Sequence, residues 1–333
     1  MKTAIITGGS GFVGSHLIRH LQREGRYDRI VNTDRSGLAP DEIPREAELA
    51  HLKWDVRRKA DAEVFRELGC GEQTHIYNLA AICRIPGYPH EDYYRTNILG
   101  AENVCRLADE LGCRTMLFTS SVSVYGGSEE LKTEESVPQP ADPYGISKLV
   151  AEYIHRGWRE SGEGRRLVIL RPGIIFGSGE QANFTRLYDA LKKGYFFYPG
   201  RRDTRKACAY VKDVARALDW FARHGDEFEL YNLAYEQAPA IEEICGVIAS
   251  ETDAGRARLR IPAPLLLGAA YLIHAAARLT GLSFKGIHPD RVRKVMVSTH
   301  ISGEKLANSG FGLKYSLKEG VRDWFDESGR SLH

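Results

Sequence analysis

Thr3-Ala4-Ile5-Ile6-Thr7-Gly8-Gly9-Ser10-Gly11-Phe12-Val13-Gly14 is the stretch on which the fold turns. A short β-type run ends in glycines and passes at once into a helical pattern over Phe12–Arg23. Gly8 permits a tight turn, Gly11 lets the backbone approach a pyrophosphate, and Gly14 lets helix and strand pack closely. The helix start, with Phe12 and Val13, offers free N–H groups and a positive dipole end to that anion. Asp34, 20 residues beyond Gly14, ends the next strand. A carboxylate there accepts hydrogen bonds from ribose hydroxyls and repels a 2′-phosphate, which favours NAD over NADP. Arg35 follows directly and leaves NADP open, because an arginine at that place can hold the phosphate.

Outward from this loop the first half alternates β-type runs with helical patterns, the signature of a doubly wound parallel sheet of the α/β class. Strands are expected at Thr3–Thr7, Arg29–Thr33, Ala50–Trp54, His75–Leu79, Thr115–Thr119 and Leu167–Arg171. Helices are expected at Phe12–Arg23, Glu91–Glu110 and Tyr144–Arg159. The rhythm breaks after Arg171-Pro172, where Gly177-Ser178-Gly179, Tyr198-Pro199-Gly200 and Pro262/Pro264 punctuate the chain. A Rossmann-type domain over 1–174, with 206–235 returning to it, and a smaller, discontinuous substrate domain from 175–205 and 236–333 are therefore expected.

The composition excludes several other classes. The 46 basic and 44 acidic residues nearly balance, which argues against a nucleic-acid binder that neutralises many phosphates. Six cysteines without a Cys-x-x-Cys pair suggest neither a metal site nor a disulfide framework, but buried thiols in a reducing cytoplasm. Met1–Ile6 is too short for a secretory segment. The most apolar stretch, Leu265–Ala277, falls short of the roughly 20 residues that span a bilayer. It reads as a buried helix, with docking onto a membrane surface as the alternative.

Tyr144-Gly145-Ile146-Ser147-Lys148 sets a phenol and an ammonium one helical turn apart on one face. A tyrosine is a poor base at neutral pH, but a nearby cation favours its phenolate, which can then take the proton of a hydroxyl whose carbon loses hydride. Ser121 lies in the hydroxyl cluster Thr119–Ser123, after the fifth strand, where open α/β sheets bind ligands. It is placed to orient the substrate oxygen beside Tyr144, and Ser123 stands beside it.

The glycine loop, Asn78-Leu79-Ala80-Ala81, Asn97, Ser121–Gly126, Pro143–Lys148, Arg171-Pro172 and Tyr210–Val214 occur in the order seen in extended short-chain dehydrogenases. More narrowly, the chain resembles the NAD-dependent epimerase/dehydratase family acting on nucleotide-sugars. That resemblance implies a cofactor site including Asp55 and Val56 near the adenine, Leu79, Ala80 and Ala81 along the cofactor, and Asn97 and Arg171. It gives Ser121, Tyr144 and Lys148 the catalytic roles, and implies a homodimer built on the two helices Glu91–Glu110 and Tyr144–Arg159. Dehydratases of this kind carry an Asp-Glu pair after the catalytic hydroxyl; Val122-Ser123 stand there instead. C4 epimerisation of a nucleotide-sugar is thus placed ahead of 4-keto-sugar reduction. A hydroxysteroid-like dehydrogenase and a non-catalytic dinucleotide sensor are further alternatives. Relatives commonly hold the substrate diphosphate with an asparagine where this chain has Ile174, so Asn183 is the substitute candidate. Arg205 and Lys206, in the cationic run 201–206, and Arg84 complete the candidate substrate contacts.

Overall fold

The computed structural model describes residues 1–35, 48–83, 87–280, 296–329 and 332. Its centre is a seven-stranded, wholly parallel sheet. From one edge to the other the strands are Phe228–Leu233, Arg166–Pro172, Thr115–Thr119, His75–Asn78, Thr3–Thr7, Arg29–Asp34 and Glu48–Lys53. The chain starts in the middle, winds outward to Glu48–Lys53, then returns to fill the other half. The direction of winding reverses between Thr3–Thr7 and His75–Asn78, which pair Thr7 with Asn78. A crevice opens there beyond the carboxyl ends of the strands, where open sheets of this type hold ligands. The sheet and its flanking helices are the Rossmann-type α/β architecture expected from the sequence.

Alternation of side chains along each strand builds two cores, one on each face. Ala4, Ile6 and Ile30 face Leu17, Ile18 and Leu21 of helix Phe12–Glu24 and Val214, Leu218 and Phe221 of helix Val211–Phe221. Ile5, Val31 and Ile76 face the other way, onto Val104, Leu107 and Ala108 of helix Leu99–Leu111 and Ala151 and Trp158 of helix Pro143–Glu160. Strands buried on both faces read as continuous apolar runs, which is why the sequence exposes them so clearly. The helix expected over Glu91–Glu110 is instead three pieces, with a π-helical turn at Tyr94–Ile98 between His90–Tyr93 and Leu99–Leu111.

A third core joins residues far apart in the chain. Phe176, Phe184 and Tyr188 pack with Ile244, Ile248, Val321 and Trp324. The strands around it are short: Ile174–Phe176 pairs Cys208–Tyr210, and Tyr198–Pro199 pairs Arg260–Ile261. Ser128–Lys132 pairs Thr299–Ile301, where Ile301 joins Val122, Val124 and Tyr125 in a fourth, smaller core.

Two expectations are corrected. The apolar helix, Ala263–Thr280, is not buried: Leu265 is 66% and Leu272 73% exposed. Its residues are apolar on nearly every side, so no change of period separates an inner face from an outer one. Cys83 is exposed, whereas Cys70, Cys105, Cys113, Cys208 and Cys245 are buried, and all six are free thiols. No helix among the described residues is long and apolar enough to cross a membrane.

Candidate active site

The glycine loop closes on itself and on the neighbouring strand. The Gly8 N–H donates to the Thr33 carbonyl (2.9 Å) and the Gly11 N–H to the Gly8 carbonyl (3.1 Å). Gly8 has φ of 73°, and a Cβ there would lie 2.9 Å from the Ala80 backbone. A Cβ at Gly14 would sit 2.5 Å from the Gly8 carbonyl oxygen. Side chains at either place would fill the channel or unseat the loop. Helix Phe12–Glu24 begins at Gly11 with no side-chain cap, so its first N–H groups and dipole face the crevice, which suits a pyrophosphate. Leu79, Ala80 and Ala81 follow strand His75–Asn78 along the opposite wall, the Leu79 N–H donating to the Thr7 carbonyl (3.1 Å). A narrow channel walled by glycine, alanine and uncapped N–H groups fits a dinucleotide.

At the adenosine end, Asp34 stands half-buried at its strand end and Arg35 is exposed. The Asp55 carboxylate is gripped by the Arg57 guanidinium, with Nε 3.0 Å from both oxygens and Nη2 2.6 Å from Oδ2. That grip holds the Asp55 pKa below the usual carboxylate range, with a smaller push from Arg35. Val56 is buried, its carbonyl accepting from Asn103 Nδ2 (2.8 Å).

Helix Pro143–Glu160 carries the reactive pair. Pro143 opens the helix, and Asp142 caps it by accepting the Gly145 N–H (2.8 Å). Tyr144 is half-buried. Its phenol pKa is raised by burial and by the neighbouring Cys83, and opposed by interaction with the Ser121 hydroxyl. Lys148 is 2% exposed, with Nζ 4.3 Å from the centre of the Phe118 ring. Burial pushes its pKa down to about 7, against the pull of Cys83 and Glu152. Ser121 caps the short 3₁₀ turn Val122–Tyr125, accepting from the Ser123 N–H (3.1 Å) and donating to the Ser123 hydroxyl (3.1 Å). Ser121, Tyr144 and Lys148 therefore converge at the carboxyl end of strand Thr115–Thr119.

Other candidates hold this constellation from behind. In the π-turn, Asn97 accepts the Ile82 N–H (2.9 Å) and donates to the Ile82 carbonyl (3.1 Å) and the Ser147 hydroxyl (2.8 Å). It thereby ties the segment after Ala81 to the reactive helix. Arg171 is 2% exposed; its guanidinium forks onto Glu152 (2.8 and 2.6 Å) and donates to the Tyr125 hydroxyl (2.6 Å). Tyr125 in turn donates to Asn232 (2.8 Å), and Ser120 donates to Glu152. Arg171 thus braces the end of its strand instead of facing the crevice as the sequence suggested. Glu152, Tyr125 and Asn232 escaped sequence reasoning. Only Glu152 left a signal, being one turn after Lys148 on the same helix face.

At the substrate end, Lys206 is half-buried and donates to the Val297 carbonyl (2.7 Å). Burial moves its pKa down to about 8. Arg205 donates to the Ala238 carbonyl (2.8 Å). Arg201 pairs with Glu129 and Arg202 with Glu242. Two cations of the run are thus matched by carboxylates, whereas the Arg205 and Lys206 side chains donate to backbone carbonyls. Asn183 is exposed at the start of helix Asn183–Lys192, where buried Glu180 accepts its backbone N–H (2.6 Å). Arg84 lies outside the described residues. Among the described residues no cluster could hold a metal.

Known proteins resemble this arrangement throughout. The family model described as "NAD dependent epimerase/dehydratase family" matches residues 4–234. An Escherichia coli O157:H7 protein named N-acetyl-alpha-D-glucosaminyl-diphospho-ditrans,octacis-undecaprenol 4-epimerase is 26% identical over 319 residues, covering 95% of this chain and 92% of its own length. The structure of MoeE5 in complex with UDP-glucuronic acid and NAD superposes with a TM-score of 0.75 at 22% identity, covering 99% of this chain and all of that one. UDP-glucose 4-epimerase from Thermotoga maritima, with UDP-glucose, gives the same TM-score at 20% identity and the same coverage. The chain belongs to the NAD dependent epimerase/dehydratase family, a group of extended short-chain dehydrogenase type.

Proposed function

We propose that the protein epimerises C4 of a sugar carried on a diphosphate, with a nucleotide-sugar as the form expected from its sequence. The carrying observation is the convergence of Ser121, Tyr144 and a buried Lys148 beside the channel between the glycine loop and Leu79–Ala81. NAD held in that channel would supply reversible hydride transfer at the sugar carbon.

Ser121 orients the O4 hydroxyl toward Tyr144. Tyr144 takes the hydroxyl proton as the carbon is oxidised and gives it back after the 4-keto sugar has turned its other face. Lys148, one turn along, supplies the positive charge that keeps the phenolate accessible despite burial, and it is placed to bond the nicotinamide ribose. Asp34 receives the adenosine ribose hydroxyls. Arg205 and Lys206 meet the diphosphate, for which charge-assisted bonds are strong. Segments 175–205 and 236–333 form the part that closes on the sugar, and the two helices around the site pair with a second subunit. Names of relatives support the reaction: the Escherichia coli protein and the Thermotoga maritima enzyme are both called 4-epimerases. What their printed substrates share is a sugar on a diphosphate.

The test has two parts. Purified protein denatured without added cofactor should release near-stoichiometric NAD, seen by mass spectrometry, because an epimerase never exchanges it. Tyr144→Phe should keep that NAD and lose roughly 10²–10⁴-fold in turnover of the C4 epimers it interconverts. Wild-type turnover in Tyr144→Phe would remove the catalytic assignment. Empty protein that binds NADPH would replace epimerisation by reduction of a 4-keto sugar.

A further inference from the structure

The helix Ala263–Thr280 is unused by the chemistry above, yet it shows large apolar side chains to solvent. Leu265 and Leu272 are 66% and 73% exposed, and Leu259, just before it, is 60% exposed. A contiguous apolar surface of this kind marks an interaction site. Its charge is one-sided. From Ala254 to Thr280 there is no acidic residue, while Arg256, Arg258, Arg260 and Arg278 are basic. Arg256, Arg258 and Arg260 are exposed, and none of the three makes an ion pair among the described residues.

Neighbouring segments extend this surface. Strand pairing sets Arg260 beside Tyr198, and a Cβ at Gly255 would lie 3.4 Å from the Leu191 carbonyl. The chain between those contacts includes Lys193 and Tyr195, both exposed. The helix start also touches the cationic run: a Cβ at Gly200 would lie 3.3 Å from the Ala263 Cβ, and Arg202 donates to the Arg258 carbonyl (2.9 Å).

We propose that this face, from Arg256 to Leu272 with Lys193 and Tyr195, docks onto an anionic lipid bilayer, and that the carrier of the sugar diphosphate is a lipid. The carrier rests on the site reading given above; the docking does not. Leucines enter the boundary between headgroups and acyl chains while the arginines meet lipid phosphates. The helix lies on the surface, since it is not apolar enough to cross it. A second copy of the chain is the poorer occupant, because a two-fold contact would bring both copies of Arg256, Arg258 and Arg260 into one interface with no acidic residue from 254 to 280 to meet them. Contact between Gly200 and Ala263 puts the diphosphate end of the site at the lipid surface.

Flotation of the full chain with vesicles tests the docking. At low salt the protein should bind phosphatidylcholine vesicles containing phosphatidylglycerol at least ten-fold better than pure phosphatidylcholine, and release as salt rises. Leu265→Glu with Leu272→Glu should abolish binding, and changing Arg256, Arg258 and Arg260 to Gln should weaken it about five-fold per charge. Both variants alter exposed residues and should keep the wild-type melting temperature and NAD content. Equal binding to both vesicle types, or leucine variants that bind as wild type, would overturn the docking. So would a wild-type dimer that the leucine changes turn into monomer without any vesicle binding. Turnover tests the carrier: a hexose on a polyprenyl diphosphate in vesicles should be epimerised, and the leucine variants should lose that activity while keeping any activity on the same hexose attached to UDP. Preference of wild type for the UDP form would overturn the lipid carrier. Turnover of neither, by protein that holds NAD, would sink the epimerase reading while flotation still decides the docking.

Discussion

Lys148 illustrates how function loads a single side chain against stability. Its ammonium is buried over Phe118, and burial lowers its pKa from 10.5 in the free side chain to about 7. Between those values the unfolded chain binds the proton and the folded chain does not, so stability rises with pH through that window. Below pH 7 both states are protonated and the full penalty applies. Each pKa unit is worth about 1.4 kcal/mol, and relaxation and water entry reduce the total. Lys148→Met should therefore gain roughly 2–4 kcal/mol at pH 7 and below. That gain should shrink toward zero by pH 10.5, while turnover falls by roughly 10²–10⁴-fold. Thermal melts across pH check this; a melting temperature unchanged at pH 7 would show that the ammonium is solvated. That Tyr144, Lys148 and Ser121 lie together was readable from sequence because helix spacing and strand ends are local facts. Arg171 was misplaced because the side chains it bonds, Glu152 and Tyr125, lie 19 and 46 residues away along the chain.

Helix Pro143–Glu160 and strand Arg166–Pro172 are joined by that pair. Glu152 and Arg171 are 1% and 3% exposed at their side chains, so neither can turn to water if its partner is lost. Arg171→Met should cost roughly 3–5 kcal/mol, because it leaves a carboxylate buried and unpaired. Adding Glu152→Gln should recover part of that loss. Urea denaturation of the two variants separates the cost of an orphaned charge from the worth of the pair. The π-turn is a second such device. Its extra residue per turn sets Asn97 where it can hold both Ile82 and Ser147, and such turns often sit at functional sites. Asn97→Ala strands the half-buried Ile82 backbone groups and takes a donor from the buried Ser147 hydroxyl, so a loss of about 1–3 kcal/mol is expected. It should come with a higher KM and a smaller change in kcat, since Asn97 positions the wall and does not meet the reacting atoms. Sequence periodicity showed the helix but not its π-turn, because one inserted residue shifts a 3.6 pattern too little to see.

The two sheet cores and the third core were unequally legible. Sheet strands buried on both faces announce themselves as apolar runs, whereas the third core uses strands of two or three residues that carry no period. Its helices, Asn183–Lys192, Ile241–Glu251 and Leu317–Glu327, meet only through distant contacts. Specific bonds couple it to the cofactor half. His16 on the first helix bonds the Ser178 carbonyl (2.8 Å), and buried Asp213 accepts the N–H groups of Lys314 and Tyr315 (3.0 Å each). Trp324 is fully buried in the third core, its ring centre 6.3 Å from that of Phe176. Trp324→Ala should cost roughly 3–5 kcal/mol through the cavity it leaves. Gly8 and Gly14 close on Ala80 and Gly9 and the loop meets the third core at Phe12, so NAD content should be unchanged while KM for the sugar rises roughly ten-fold. Measuring released NAD and KM on the same preparation tests that division of labour. If NAD were lost in step with sugar affinity, the third core would be holding the cofactor channel together as well as the substrate end.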